Sequence, residues 1–295
     1  MLTKFDVDVA HVADSSLDVL LGTRDAKGFQ RLLATLVFTR NLRRHRIALV
    51  RTVFGGTEPE AGHVAERVAR RVLDRATRAF ITLDDSIVTP NPSRTTRIPH
   101  ASFSERYIGY PRSEQIEGRI LCLSPGYLPS GTRQLLGVVR VTSTPGVTLR
   151  LAGRASRALE PHVRSAIARH ASTVSARLEQ LSDGAQVQEI SAAELVAVPH
   201  SDSPEERQLV YLALSLDRPV ITPRTPAMAA LAREVGAGWV HLTDGPITAK
   251  DIDVALTAGR SGKRTSHPDL HGRDLRETTA AYAAVFRAAS YDRLR

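Results

Sequence analysis

Residues 124–131 (SPGYLPSG) place small residues and free backbone amides just ahead of a helical pattern. A helix start concentrates positive potential and unsatisfied N–H groups, so Gly126, Ser130 and Gly131 form a candidate phosphate cradle. Arg154, closing the run LAGRA at 151–155, can give a forked contact to a phosphate. Residues 199–208 (PHSDSPEERQ) bring His200 and Arg207 into a loop before another helix. A second set of residues suits proton transfer or binding of hydroxyl groups. Asp14 stands beside His11 at the end of the first strand pattern, Glu60 follows the second, and His100 ends the stretch IPH. No GxGxxG, Walker loop, nucleophile elbow or metal-ligand spacing is present, so no metal or cofactor is expected.

These side chains need elements to hold them. In the first part, strand patterns at 6–12, 47–53, 79–83 and 95–99 alternate with two helical ones. Phe29, Leu32, Leu33, Leu36 and Val37 predict an amphipathic helix of about five turns with that stripe as its apolar face. Val64, Val68, Val72 and Ala76 predict the next. The second part is more regular. Strands are expected at 119–124, 147–153, 173–181, 195–199, 219–222 and 239–242. Helices are expected near 131–142, 156–170, 183–193, 205–216, 226–235 and 249–258. Such alternation calls for a doubly wound parallel sheet, whose right-handed crossovers put every strand-to-helix loop on one edge. The loops 124–131, 199–208 and 223–225 then share the edge where such folds bind ligands. Proline and glycine thicken from 90 to 118 and predict a domain boundary near 110. The expected organisation is a first domain over 1–110, a second over 111–270 and a terminal helix within 271–295.

The formal charge of +9 and pI near 10.3 fit a polyanionic partner. Basic residues are not interleaved with aromatics and no nucleic-acid motif occurs, so the charge reads either as a solvated basic surface or as a docking face for an anionic membrane, and nucleic acid is not expected. No apolar run approaches the length of a membrane span, and the N-terminus has no signal-peptide core. The location expected is cytoplasmic, peripheral on the inner membrane face. Cys122 lies in the apolar run 120–123 and reads as a buried thiol rather than a nucleophile.

Residues 119–131 (RILCLSPGYLPSG), 147–153 (VTLRLAG), 195–200 (LVAVPH), 213–224 (ALSLDRPVITPR) and 236–239 (GAGW) resemble the donor domain of GT-B glycosyltransferases. Residues 49–53 (LVRTV) and 98–100 (IPH) resemble their acceptor domain and linker. The nearest flavour is that of bacterial enzymes adding a sugar, often mannose, to lipid-linked exopolysaccharide intermediates. The resemblance implies two Rossmann-like doubly wound domains, the first curtailed, with the family's first strand and glycine loop lying upstream of Met1. It implies hexosyl transfer from a nucleotide sugar to a lipid-linked glycan or polysaccharide, independent of metal, with the donor against Gly126, Ser130, Gly131, Arg154, His200 and Arg207. The chain departs from the pattern at Tyr127 and Ser130, where relatives carry an arginine and a lysine, and at Asp217, where they carry glycine. The alternative implied by those departures is a catalytically impaired partner of a second glycosyltransferase chain.

Overall fold

The computed structural model describes residues 7–14, 17, 28–54, 64–124, 129–201, 203–262 and 264–291. The chain divides into two compact units, 1–100 with 276–295, and 101–275.

The first unit is built on a parallel sheet, β1 (Val9–Ala13), β2 (Ala48–Val53), β3 (Thr77–Thr82) and β4 (Thr95–Arg97), in that spatial order. Alternation along the strands divides two apolar sets between its faces. Val12 and Leu49 pack with Leu42 of α1 (Gly28–Arg44) and Leu73 of α2 (Val64–Ala76). Val50 and Ile81 pack with Val285 and Ala289 of the last helix, Leu275–Tyr291, which therefore belongs to this unit from residue 276 onward.

Helix α1 has the expected length but not the expected orientation. It buries Thr35, Thr39 and Leu42, while Phe29, Leu33 and Val37 remain 71%, 55% and 52% exposed. The threonines can be buried because their hydroxyls donate back to the carbonyls of Arg31 and Thr35, each at 2.8 Å.

The second unit has six parallel strands in the order β10-β9-β8-β5-β6-β7. They are β5 (Arg119–Leu123), β6 (Thr148–Ala152), β7 (Val174–Arg177), β8 (Leu195–Ala197), β9 (Val220–Pro223) and β10 (Val240–Thr243). Helices α3 (Pro129–Val138), α4 (Glu160–Arg169) and α8 (Ala249–Arg260) cover one face, packing on Cys122, Leu149, Leu151 and Ile221. Helices α5 (Asp183–Ser191), α6 (Pro204–Ser215) and α7 (Pro226–Glu234) cover the other, packing on Leu121, Val196 and Val220. The terminal helix is α9. Local chemistry fixes several starts: Ser203 and Glu206 form a capping box on α6, and Thr225 caps α7 ahead of Pro226.

The first boundary lies ten residues before the expected 110. Proline and glycine mark turns, but packing decides membership. Tyr107 sits in the second unit's core and its hydroxyl donates to Gln186 at 3.2 Å, while the Phe103 amide donates to Ser215 Oγ at 2.8 Å. The second boundary lies at 275 rather than 270. Arg273, 2% exposed, holds that stretch by a forked pair with Glu234 at 2.6 and 2.8 Å and stacks on Tyr211.

Candidate functional site

In the second unit the strand order reverses between β5 and β8: the chain winds outward through β6 and β7, then returns and winds the other way through β9 and β10. At such a switch point the loops leaving two neighbouring strands diverge to opposite faces and open a crevice at their carboxyl ends. The loops concerned are those after β5 and β8.

The first turn of α3 presses directly on the loop after β8. A Cβ built on Gly131 would collide with Pro199 Cβ and come within 3.1 Å of His200 Nε2. Only glycine lets the two backbones approach this closely. Beside it, Ser130 Oγ lies 3.2 Å from His200 Nε2. Three of the residues expected to bind the donor, Ser130, Gly131 and His200, are thus brought together. Gly126 and Glu60 lie outside the described residues.

The loop after β6 closes on the same edge. Ser124, with φ +49°, takes a left-handed conformation unfavourable for a residue with a Cβ, and its amide donates to Ala152 O at 2.7 Å. Gly153, φ +110°, is so close that an added Cβ would lie 3.0 Å from Ser124 Cα. Strain of this kind persists only where surrounding packing enforces it, and it gathers at ligand sites. Arg154 follows, exposed and without an ion pair among the described residues. Arg207 lies in the first half of α6 and is buried, 8% exposed. Arg224, beyond β9, is neutralised by Asp244 at 3.0 Å.

Two further groups at this edge escaped sequence reasoning. Ser201 Oγ, after β8, and Thr222 Oγ1, near the end of β9, are buried with no hydrogen-bond partner among the described residues. Alternation puts Thr222 on the face of Val220, the face covered by α6. Thr222 read only as a β-branched strand residue and Ser201 only as loop; orphaned hydroxyls are a tertiary signal. Such groups are uncommon in folded proteins and call for an explanation. Among the described residues no group of three or more His, Cys, Asp or Glu could hold a metal ion.

In the first unit the proton-transfer candidates fall in different settings. Asp14 is engaged: Arg51 Nε and Nη2 donate to its two carboxylate oxygens at 2.9 and 3.0 Å, and Arg51 Nη1 reaches Asp74 at 2.7 Å. Arg51 is buried over the ring of Phe80. Burial alone would lower its pKa; the two carboxylates outweigh this and raise it, so the guanidinium stays charged. His11 shares a hydrogen bond with Thr52 Oγ1 at 2.8 Å and packs against Tyr282 and Phe286 of α9. Partial burial lowers its pKa and favours the neutral ring. His100 is half-buried just beyond β4.

Solved structures share this architecture. HepE of Anabaena, solved in complex with UDP, matches 87% of this chain and 77% of its own with a TM-score of 0.67 at 17% identity. The fold is that of the GT-B glycosyltransferases. A second GT-B match is the lipopolysaccharide outer core galactosyltransferase WaaB, with a TM-score of 0.55 at 12% identity over 87% of this chain and 73% of that one. In sequence the chain is similar to the GDP-mannose:glycolipid 4-beta-D-mannosyltransferase of Xanthomonas campestris pv. campestris. The identity is 33% over 228 residues, 77% of this chain and 64% of that protein. The match thus spans less than two thirds of the curated relative's length. No family model matches the chain.

Proposed function

We propose that this chain transfers a hexosyl group from a nucleotide sugar to a lipid-linked glycan or polysaccharide, with GDP-mannose the first donor to test because the curated relative uses it. One observation carries the proposal: the first turn of α3 and the loop after β8 meet at the switch point through Gly131, Ser130 and His200. The donor diphosphate lies against the amides at the start of α3, with Arg154 offering a guanidinium. Transfer breaks the bond between the anomeric carbon and the diphosphate oxygen. The acceptor hydroxyl forms the new bond, and its proton passes to the leaving diphosphate or to solvent. The leaving diphosphate gains negative charge, so amides and a guanidinium fixed around it stabilise the transition state more than the ground state, without an obligatory metal.

A lipid-linked acceptor brings the enzyme to a membrane, on the cytoplasmic side where nucleotide sugars are made. Among the described residues no helix is long and apolar enough to cross one. Helix α1 suits peripheral docking instead: its exposed Phe29, Leu33, Leu36 and Val37 run toward exposed Arg40, Arg43 and Arg44. An apolar stripe bordered by arginine is the composition of a helix lying in an anionic interface.

Ser130 favours a second reading, a partner subunit that retains the fold with little turnover. Its uncharged side chain, bonded to His200, stands where the resemblance implies a cation. One experiment addresses both. Purified chain is incubated with GDP-, UDP- and ADP-sugars and a membrane extract containing lipid-linked acceptors, and labelled glycolipid is followed. Donor-dependent labelled product is expected. Donor binding without turnover, together with a stable complex with a complete glycosyltransferase, would replace the enzyme by the partner. Failure to bind any nucleotide sugar would overturn both.

A further inference from the structure

On the face of the second unit covered by α3, α4 and α8, a groove of about 400 Å³ runs between α3 and α4. One wall carries Arg133 and, in the 3-10 turn Val139–Val141, Arg140; the other carries His162 and Arg169. His162 and Arg169 are seven residues apart, two helical turns, so both lie on the same side of α4. His170 closes the end of the α4 wall. The floor is Leu136 and the backbone around Gly137, where an added Cβ would meet nothing within 4 Å.

Among the described residues no carboxylate lines the groove. The acid on α4, Glu160, is taken by Arg164 at 2.6 Å. Arg133 and Arg140 form no ion pair among the described residues, whereas Arg169 is oriented by Ser165 Oγ at 2.9 Å. His162 Nδ1 faces the Ala158 carbonyl at 3.1 Å, which makes that nitrogen the donor and leaves Nε2 open. Three arginines and two histidines therefore line a concave space that, among the described residues, holds no counter-charge.

We infer that this groove is an anion site, separate from the crevice at the switch point, which takes the phosphate groups of a soluble phosphorylated ligand. Guanidinium forks match phosphate oxygens from two sides, and the volume is that of a small-molecule site. Among the described residues no exposed large apolar side chain lines it, which disfavours insertion into a bilayer. Among the described residues no Phe, Tyr or Trp lines it to stack a nucleic-acid base.

The test titrates pyrophosphate into the intact chain by calorimetry, comparing wild type with R133Q/R140Q/R169Q and with R233Q, a surface arginine on α7. Trp239 fluorescence checks that each variant is folded, and R140Q alone serves if the triple variant is not. The groove variants should bind pyrophosphate roughly tenfold or more weakly than wild type, as loss of charge-assisted hydrogen bonds requires, and R233Q should match wild type. Equal affinity in wild type and triple variant, or no wild-type binding at millimolar pyrophosphate, would overturn the site. A parallel arm measures flotation with phosphatidylglycerol vesicles. Weakened flotation with unchanged pyrophosphate binding would overturn the soluble ligand in favour of a lipid headgroup.

Discussion

One methyl group added to α3 at two positions should act in opposite directions. At Gly137 a Cβ meets open space, so G137A should stabilise by about 0.5–1 kcal/mol, the ordinary gain of alanine over glycine in a helix. At Gly131 the same atom collides with Pro199 Cβ and lies 3.0 Å from its Cγ. A proline ring cannot rotate away, so α3 or the loop after β8 must shift. Overpacking of this kind costs about 1–3 kcal/mol, and the helical gain of alanine offsets up to about 1 kcal/mol of it. Taking the middle of that range, about 2 kcal/mol, less up to about 1 kcal/mol, G131A should be destabilised by about 1–2 kcal/mol, leaving the two variants about 1.5–3 kcal/mol apart. The chain's one tryptophan, Trp239, is buried in the second unit beneath Arg264, so its fluorescence in urea follows that unit. Stability of G131A equal to or above wild type would refute the close approach of α3 to the loop after β8, and with it the crevice proposed to take the donor. The displaced first turn of G131A should also weaken nucleoside diphosphate binding, read as a smaller ligand-induced rise in melting temperature.

R51M should destabilise the first unit by about 3 kcal/mol, because Asp14 and Asp74 then face each other across an apolar side chain; D14N/R51M/D74N should recover part of the loss in urea denaturation followed by circular dichroism. Wild-type stability for R51M would show the buried pair to be idle. Burial would raise the pKa of Asp217, but hydrogen bonds from Arg112 and His267 outweigh it and hold the carboxyl below its usual range. The charged pair therefore stabilises at neutral pH and is lost as pH falls through that lowered pKa. D217N should be less stable than wild type at pH 7, by about 1 kcal/mol or less given the exposure of its partners, and the gap should close in acid. A gap that persists in acid would assign the effect to something other than charge. Burial pushes the Cys122 thiol up to about 11, and it lies 3.6 Å from Thr132 Oγ1. Ellman's reagent should leave it unmodified until the second unit unfolds, and rapid native labelling would contradict its burial.

The elements of the second unit are legible in the sequence because their signals are local. Apolar β-branched runs such as 219–222 make strands buried on both faces, and Thr225-Pro226 starts a helix whatever its neighbours do. The resemblance in residues 119–131 and 195–200 pointed to the loops that meet at the switch point. The contact between them depends on β5 pairing with β8, 75 residues apart in register, a choice spacing cannot encode. Asp14 shows the same limit: by type it suits a base, and its occupation by Arg51 follows from the pairing of β1 with β2.

Helix α1 marks the boundary most clearly. Its residues determine that a helix of 17 residues forms and that Phe29, Leu33 and Val37 share a stripe. Periodicity does not state which way a stripe faces. Threonines that satisfy their own hydroxyls within the helix can be buried nearly as well as aliphatic residues, so Thr35 and Thr39 were free to turn inward. Which residues group into faces was decided locally, by the 3.6-residue turn. Which face meets the core, and which loops meet across the sheet, was decided by packing among parts of the chain far apart in sequence.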